Sequence, residues 1–235
     1  MIEGRNWLHI ICCFGIFLLI FLNCRPATQP ISNELDRNKS KYFDSTILYI
    51  KKVPLYPGFT YVKPTPWIHY DLKYAGEDNF VKKQIYDCPR CYLTTETGQA
   101  LHKVAEYLKT NYDLGIILFD CYRPLSAQEK LWSIVPKASY VTPPHKGSMH
   151  NRGKAIDLTL ADSLGQPLDM GSHFDDFSNA SHIDNTQLPK NILYRRSILR
   201  KTMAKFGFKG IRTEWWHFSY QGSPAPISNW KWSCD

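Results

Sequence analysis

Ser148-Met149-His150-Asn151-Arg152-Gly153-Lys154-Ala155-Ile156-Asp157, answered far downstream by Glu214-Trp215-Trp216-His217, is where this chain concentrates chemistry. His150 and His217 supply two imidazoles and Asp157 one carboxylate. That set fills three corners of a tetrahedral Zn²⁺ and leaves the fourth open to water, the layout of a catalytic rather than a structural zinc. Glu214, three residues before His217, adds a carboxylate able to take a proton from that water and pass it to a leaving amine. From Ala155 to Leu160 the apolar Ile156, Leu158 and Leu160 alternate with Ala155, Asp157 and Thr159, so the stretch reads as a strand with Asp157 on the site-facing side. A buried Asp without a cation would be costly, which supports Asp157 as a ligand. Gly153 is expected to permit a tight backbone path between the two ligands. His145 is a rival ligand; His150 is preferred because it lies inside the motif. Short His motifs also occur by chance, so spacing alone leaves the metal reading and an ordinary surface or core reading both open.

Further motifs lie on either side. Asp71-Leu72-Lys73-Tyr74-Ala75 is followed by Asn79-Phe80, then by Asp120-Cys121-Tyr122-Arg123-Pro124, and later by Met170-Gly171-Ser172-His173-Phe174-Asp175. In this order, over roughly residues 67 to 221, the chain resembles the VanX-type zinc D-alanyl-D-alanine dipeptidases of the wider D,D-peptidase/Hedgehog superfamily. The resemblance implies a single α+β domain, a small and mainly antiparallel sheet with helices packed against it and one zinc ion on its open face. It implies His150, Asp157 and His217 as metal ligands, Glu214 as the proton-transferring residue, and Arg123 as the stabiliser of the transition state. A permanently charged, forked guanidinium suits that role. Asp175 and Tyr74 match the residues that hold the amino end of the dipeptide, and Ser148 matches a serine near the substrate. Asp120 is grouped with them as the carboxylate able to hold Arg123 in place.

The implied reaction is hydrolysis of D-alanyl-D-alanine to two D-alanines. The dipeptide preference rests on the resemblance alone. Two departures matter: Met149 replaces a second serine, and the Ile134–Gly147 loop reads as shorter, predicting a more open pocket wall. A peptidoglycan D,D-carboxypeptidase or endopeptidase acting on longer stem peptides is the rival within enzymes. A non-catalytic zinc-stabilised module that binds cell wall or protein is the rival outside them, though it would need neither Glu214 nor Arg123.

The chain has 235 residues, enough for one domain with a proper core, and a net charge of +8. Its basic residues are scattered, without the runs expected of a nucleic-acid binder, and suit an anionic surface such as a cell wall or lipid headgroups. Residues 1–24 read as an export or lipoprotein signal: Arg5, an apolar run from Leu8 to Leu22, then Asn23-Cys24, with Cys24 as the lipidation candidate. Glu3 and Asn23 fit that reading poorly, so an uncleaved anchor is the alternative. Residues 25–46 form a polar tether, and 47–235 the catalytic domain, beginning with a proline-broken extended arm. The expectation is an exported protein, periplasmic or at the cell surface, held to the membrane by its N-terminus. Cys88, Cys91, Cys121 and Cys234 then remain, and export permits disulfides in any of three pairings. Cys88-Pro89-Arg90-Cys91 can also be read as half a zinc knuckle or a redox pair.

Two helices are predicted. Thr95–Thr110 has apolar positions at the helical period and Thr94 or Thr95 as cap, with His102 outward; Asn191–Phe206 buries Ile198, Leu199, Met203 and Phe206 and leaves Arg195, Arg196, Arg200 and Lys201 in solvent. Ser126 and Glu129 form a capping box for a third helix through Trp132. Strands are expected at Trp67–Tyr74, Gly115–Phe119 and Trp215–Tyr220, with a long functional loop over Asp162–Lys190. On a regular strand Glu214 and His217 would face opposite ways, so an irregularity is predicted there.

Overall fold

Residues 56–234 are described by the computed structural model; the expected signal, the tether and the first part of the arm lie outside the described residues. The arm that follows contributes β1 (Phe59–Tyr61), paired antiparallel with β3 (Tyr92–Thr94) in a two-stranded ribbon. The main sheet has five strands: β2 (Ile68–Tyr70), β4 (Gly115–Asp120), β5 (Ala155–Ala161), β6 (Phe208–Ile211) and β7 (Glu214–Tyr220), in the order β2-β4-β5-β7-β6. Only the β2–β4 pair is parallel, so the mainly antiparallel α+β expectation holds. β2 is shorter than the expected strand, and a 3-10 turn at Lys73–Ala75 takes over its end.

α1 (Thr95–Tyr112) begins where Thr94 Oγ1 accepts the Thr97 N–H at 3.4 Å, and it ends at Asp113, whose φ of +54° lies in the left-handed region. Its Leu101, Val104 and Leu108 are fully buried and join Ile156, Leu158 and Leu160 of β5 in one core. Leu199 and Met203 of α3 (Lys190–Lys205) complete that core. Burying each such side chain contributes about 1.5–3 kcal/mol. All seven β5 residues are buried, because loops cover the face that carries Asp157 and Thr159.

Two expectations about helices fail for tertiary reasons. α2 (Leu125–Ile134) starts after Pro124 with no side-chain cap, so the Ser126–Glu129 capping box does not form. The C-terminal segment supplies the acceptors instead: Leu125 N–H donates to Ser228 O at 3.1 Å and Ser126 N–H to Asn229 Oδ1 at 2.8 Å. Arg196, expected in solvent, is only 6% exposed. The 162–189 loop folds over it, and its guanidinium donates to Met170 O, His182 O and Ala180 O at 2.7, 3.1 and 2.9 Å. Helical periodicity could not show this, since it sees one helix and not the loop that lands on it.

The cysteine pairing is Cys88–Cys234 and Cys91–Cys121, with Cα separations of 5.8 and 5.4 Å. Cys88 and Cys91 belong to different bridges, which removes the zinc-knuckle and redox-pair readings.

Arg196→Ala leaves three backbone carbonyls without their donor. The expected loss is about 2–4 kcal/mol of unfolding free energy. Urea denaturation would measure it, and an unchanged midpoint would show that the guanidinium does not pin the loop.

Candidate active site

Three donor atoms from two neighbouring strands and a short turn converge on the covered face of the sheet. His150 opens the 3-10 turn His150–Arg152, Asp157 lies on β5, and His217 stands directly opposite Asp157 on β7. Gly153 closes the turn at φ +62°, and a Cβ there would run into the Phe59 ring, so glycine is required on both counts. His150 Nε2 lies 3.1 Å from His217 Nδ1 and 3.4 Å from Asp157 Oδ1, and the last two atoms are 2.9 Å apart. Ligands around a tetrahedral zinc at its usual bond lengths stand about 3.3 Å apart, so this triangle is the right size for one face of such a site.

Protonation points the same way. His150 Nδ1 donates to the Cys121 carbonyl at 2.7 Å, which leaves Nε2 with its lone pair. His217 Nε2 lies 3.1 Å from Ser219 Oγ, which can accept the Nε2–H of the tautomer that leaves Nδ1 bare. Two lone pairs and a carboxylate oxygen then face one another. Burial opposes the charged form of Asp157, yet His150 and His217 hold its carboxyl far below the usual range. His150 is raised above the ordinary imidazole value despite its own burial, by Asp157 and then Asp120. Without a cation the arrangement favours a proton among these donors, and a divalent cation would compete with it. The donors fit the expected metal, and these three form the one such group among the described residues. His145 is exposed and outside it.

Glu214 reaches the same place through the predicted irregularity. Gly210 pairs with Phe218 but Ile211 pairs with Glu214, a register shift that lets β7 turn Glu214 toward His217. Its Oε2 lies 3.9 Å from His217 Nδ1. Burial pushes this carboxyl above its ordinary value, His217 partly offsets that, and Asp157 adds to it, the state wanted of a proton-transferring group.

Arg123 follows β4 and is buried. Its Nε and Nη2 donate to Asp120 Oδ2 at 3.1 and 2.6 Å, and Nη1 donates to Gln128 Oε1 at 2.9 Å. Two of the five guanidinium N–H groups remain for other acceptors. Tyr86 O–H donates to Asp120 Oδ1 at 2.8 Å. Asp120 is therefore fully buried and engaged on both oxygens, below the cavity wall; it holds Arg123 and does not face a substrate.

A cavity of about 350 Å³ is lined by Tyr74, Arg123, Ser148, His150, Asp157, Asp175, Glu214 and His217, which unites every expected site residue except Asp120. Asp175 has a φ of +58°, unusual for a side-chain-bearing residue, and this aims its carboxyl at Tyr74 O–H, 3.2 Å away. Burial pushes Asp175 up to about 8, and the negative charge of Asp157 adds to the shift. Trp216 packs into the core at 1% exposure while also lining the cavity. Tyr140 of the 134–147 loop stacks on Phe177 of the opposite loop, so an aromatic pair stands on this side of the cavity.

The sequence reading passed over Asn151, which is fully buried. Its Nδ2 donates to Arg123 O at 2.7 Å and its Oδ1 accepts the Ser148 N–H at 2.8 Å, tying the metal-ligand turn to the Arg123 segment. Nothing in its local sequence marks this role, since both partners are brought to it by folding.

The family profile described as "D-ala-D-ala dipeptidase" (peptidase M15) matches residues 60–233. Among curated relatives, a D-alanyl-D-alanine dipeptidase of Escherichia coli (strain K12) is 39% identical over 170 residues, covering 72% of this chain and 88% of that protein. One from Enterococcus faecium is 33% identical over 193 residues, covering 73% and 95%. Among solved structures, a vancomycin-resistance D,D-pentapeptidase VanY mutant in complex with Zn(II) aligns over 56% of this chain and 74% of its own, at 15% identity and a TM-score of 0.38.

Zinc in excess of its dissociation constant should raise the melting temperature of chelator-stripped protein by roughly 5–10 °C. His217→Ala should lose that response. A stripped protein indifferent to zinc would argue against a metal on these three donors.

Proposed function

The chain belongs to the peptidase M15 family, and from that premise we propose that it is a zinc dipeptidase hydrolysing D-alanyl-D-alanine, a peptidoglycan-derived dipeptide, to two D-alanines. The observation that carries the reading is the cavity in which a three-donor metal site, a partly buried carboxylate and a guanidinium face one another. The substrate comes from the activity named for the relatives.

A single zinc ion would be held by His150, Asp157 and His217; when bound it supplies Lewis acidity that polarises a carbonyl and a water molecule. Asp175, with the Tyr74 hydroxyl beside it, takes the dipeptide's ammonium group and fixes which end enters. Arg123 offers its two free N–H groups to the oxygen that becomes negative as water adds to the carbonyl carbon. Asp120 and Gln128 keep that guanidinium from turning away. Glu214 accepts the proton of the attacking water and delivers it to the amine nitrogen as the C–N bond breaks. Ser148 lies on the wall, its single O–H donated to Asn151 Oδ1 at 3.2 Å; turned from that bond, it would donate to a substrate carboxylate.

Export is part of the same proposal, with membrane attachment through an N-terminal signal or a lipidated Cys24. The apolar run and Cys24 support it, as do two disulfides, which persist in oxidising compartments and are uncommon in the cytosol.

Glu214→Gln should lower kcat on D-Ala-D-Ala by roughly 10²–10⁴-fold while bound zinc, measured by atomic absorption, is unchanged. Arg123→Met should cost roughly 10²–10³ in kcat with little change in KM. Turnover by either variant at the wild-type rate removes that residue from the mechanism. The Asp175 carboxyl is protonated below about 8 and ionised above it, and only the ionised form pairs with an ammonium. For the wild type, kcat/KM should therefore climb as pH rises toward that value, and Asp175→Asn should abolish the climb. A variant with an unaltered pH profile would assign the limb to another group.

A further inference from the structure

Beside the catalytic cavity, on the same face of the sheet, lies a larger cleft of about 1190 Å³ whose floor includes Phe119, Thr159 and Trp215. Thr159 Oγ1 is buried beneath it without a hydrogen-bond partner. Among the described residues only Phe80 and Asp175 line both spaces. The 350 Å³ of the catalytic side is small for a ligand pocket. Phe80 and Asp175 therefore stand where the two spaces meet.

That ring is firmly held. The Asn79 side chain binds Lys73 O, Gly76 O and Lys83 O at 3.1, 2.8 and 3.0 Å and accepts the Val81 N–H at 3.1 Å, winding the loop into one shape. Phe80 then meets Tyr74 edge-on at 6.4 Å and Phe177 edge-on at 5.3 Å. Phe177, 36% exposed, stacks in turn on Tyr140, 40% exposed, with centroids 4.1 Å apart. Three loops remote in sequence so meet in one row of rings along the end of the pocket where Asp175 stands.

We propose that Phe80, buttressed by Phe177 and Tyr140, is a specificity-determining residue that ends the catalytic pocket at the length of a dipeptide. A peptide extended at its amino end meets the ring; without it, the extension runs into the larger cleft. The inference rests on the reading of Asp175 as the holder of the substrate's amino group. The bond cleaved is the same in both cases, and an extended peptide offers Asp175 an amide N–H in place of an ammonium. Exclusion here is steric and acts against the longer competitor without strengthening contacts to the shorter one.

The test compares kcat/KM for D-Ala-D-Ala and for L-Ala-D-Ala-D-Ala, both read as D-alanine released, in the zinc-loaded protein. The wild type is expected to favour the dipeptide by 100-fold or more. Phe80→Ala should narrow that ratio at least tenfold, chiefly through a lower KM for the tripeptide, and Phe80→Trp should keep the wild-type ratio. If circular dichroism shows that Phe80→Ala has not folded, Phe177→Ala at the half-exposed buttress should narrow the ratio at least threefold. An unchanged ratio in a folded variant, with the dipeptide still hydrolysed, overturns the filter and leaves the dipeptidase reading standing. A wild type that cleaves the tripeptide as readily as the dipeptide overturns the filter as well. A wild type that cleaves neither removes the dipeptidase reading and the filter with it.

Discussion

Two imidazole lone pairs and a carboxylate oxygen stand within 3.4 Å of one another, and only a cation or a shared proton makes that proximity favourable. Holding them there requires strands whose pairing does not slip, because a shift of one residue would send Asp157 or His217 to the opposite face. The antiparallel register that places Asp157 across from His217 is secured on its reverse side by Ile156, Leu158 and Leu160 in the fully buried core. The metal site is, in this sense, the far surface of the hydrophobic core.

Around the donors the structure adds a layer of fixed polar contacts. The Cys121 carbonyl sets the His150 tautomer, and the next two residues carry the chain to Arg123. Arg123 N–H donates to His150 O at 3.1 Å, while Asn151 returns a bond to Arg123 O. The segments bearing the ligand and the guanidinium therefore lock each other. The Cys91–Cys121 disulfide anchors one of them just before the ribbon strand β3, and the C-terminal segment anchors the other through Ser228 N–H to Asn151 O at 2.8 Å. In the buried set of Arg123, Asp120, Tyr86 and Gln128 every side chain has a partner, and only two Arg123 N–H groups are left over, on the cavity side.

The amino end of the pocket obeys a different logic. Asp175 sits in a left-handed backbone conformation on a loop that Arg196 pins from beneath through three carbonyls. The aromatic row of Phe80, Phe177 and Tyr140 closes the space beyond it. On the reading proposed above, shape and desolvation would do the selecting there, and charge and proton transfer the chemistry at the donor cluster.

The sequence pointed by itself to His150, Asp157 and His217 as a donor set, to Glu214 and Arg123 beside it, to the α+β class and to a break in β7. The break follows from the two-residue strand period; the ligand set, Glu214 and Arg123 are marked by residue chemistry together with the resemblance of the ordered motifs to a known family, and the α+β class by that resemblance. The sequence could not determine the disulfide pairing, the burial of Arg196, the replacement of the Ser126–Glu129 cap by Ser228 and Asn229, the occupation of Asp120 by Arg123 and Tyr86, or the meeting of Phe80, Phe177 and Tyr140. These depend on which loop lands on which element. Such contacts join residues far apart in the chain, and no local pattern encodes them; only packing of the whole domain brings the partners together.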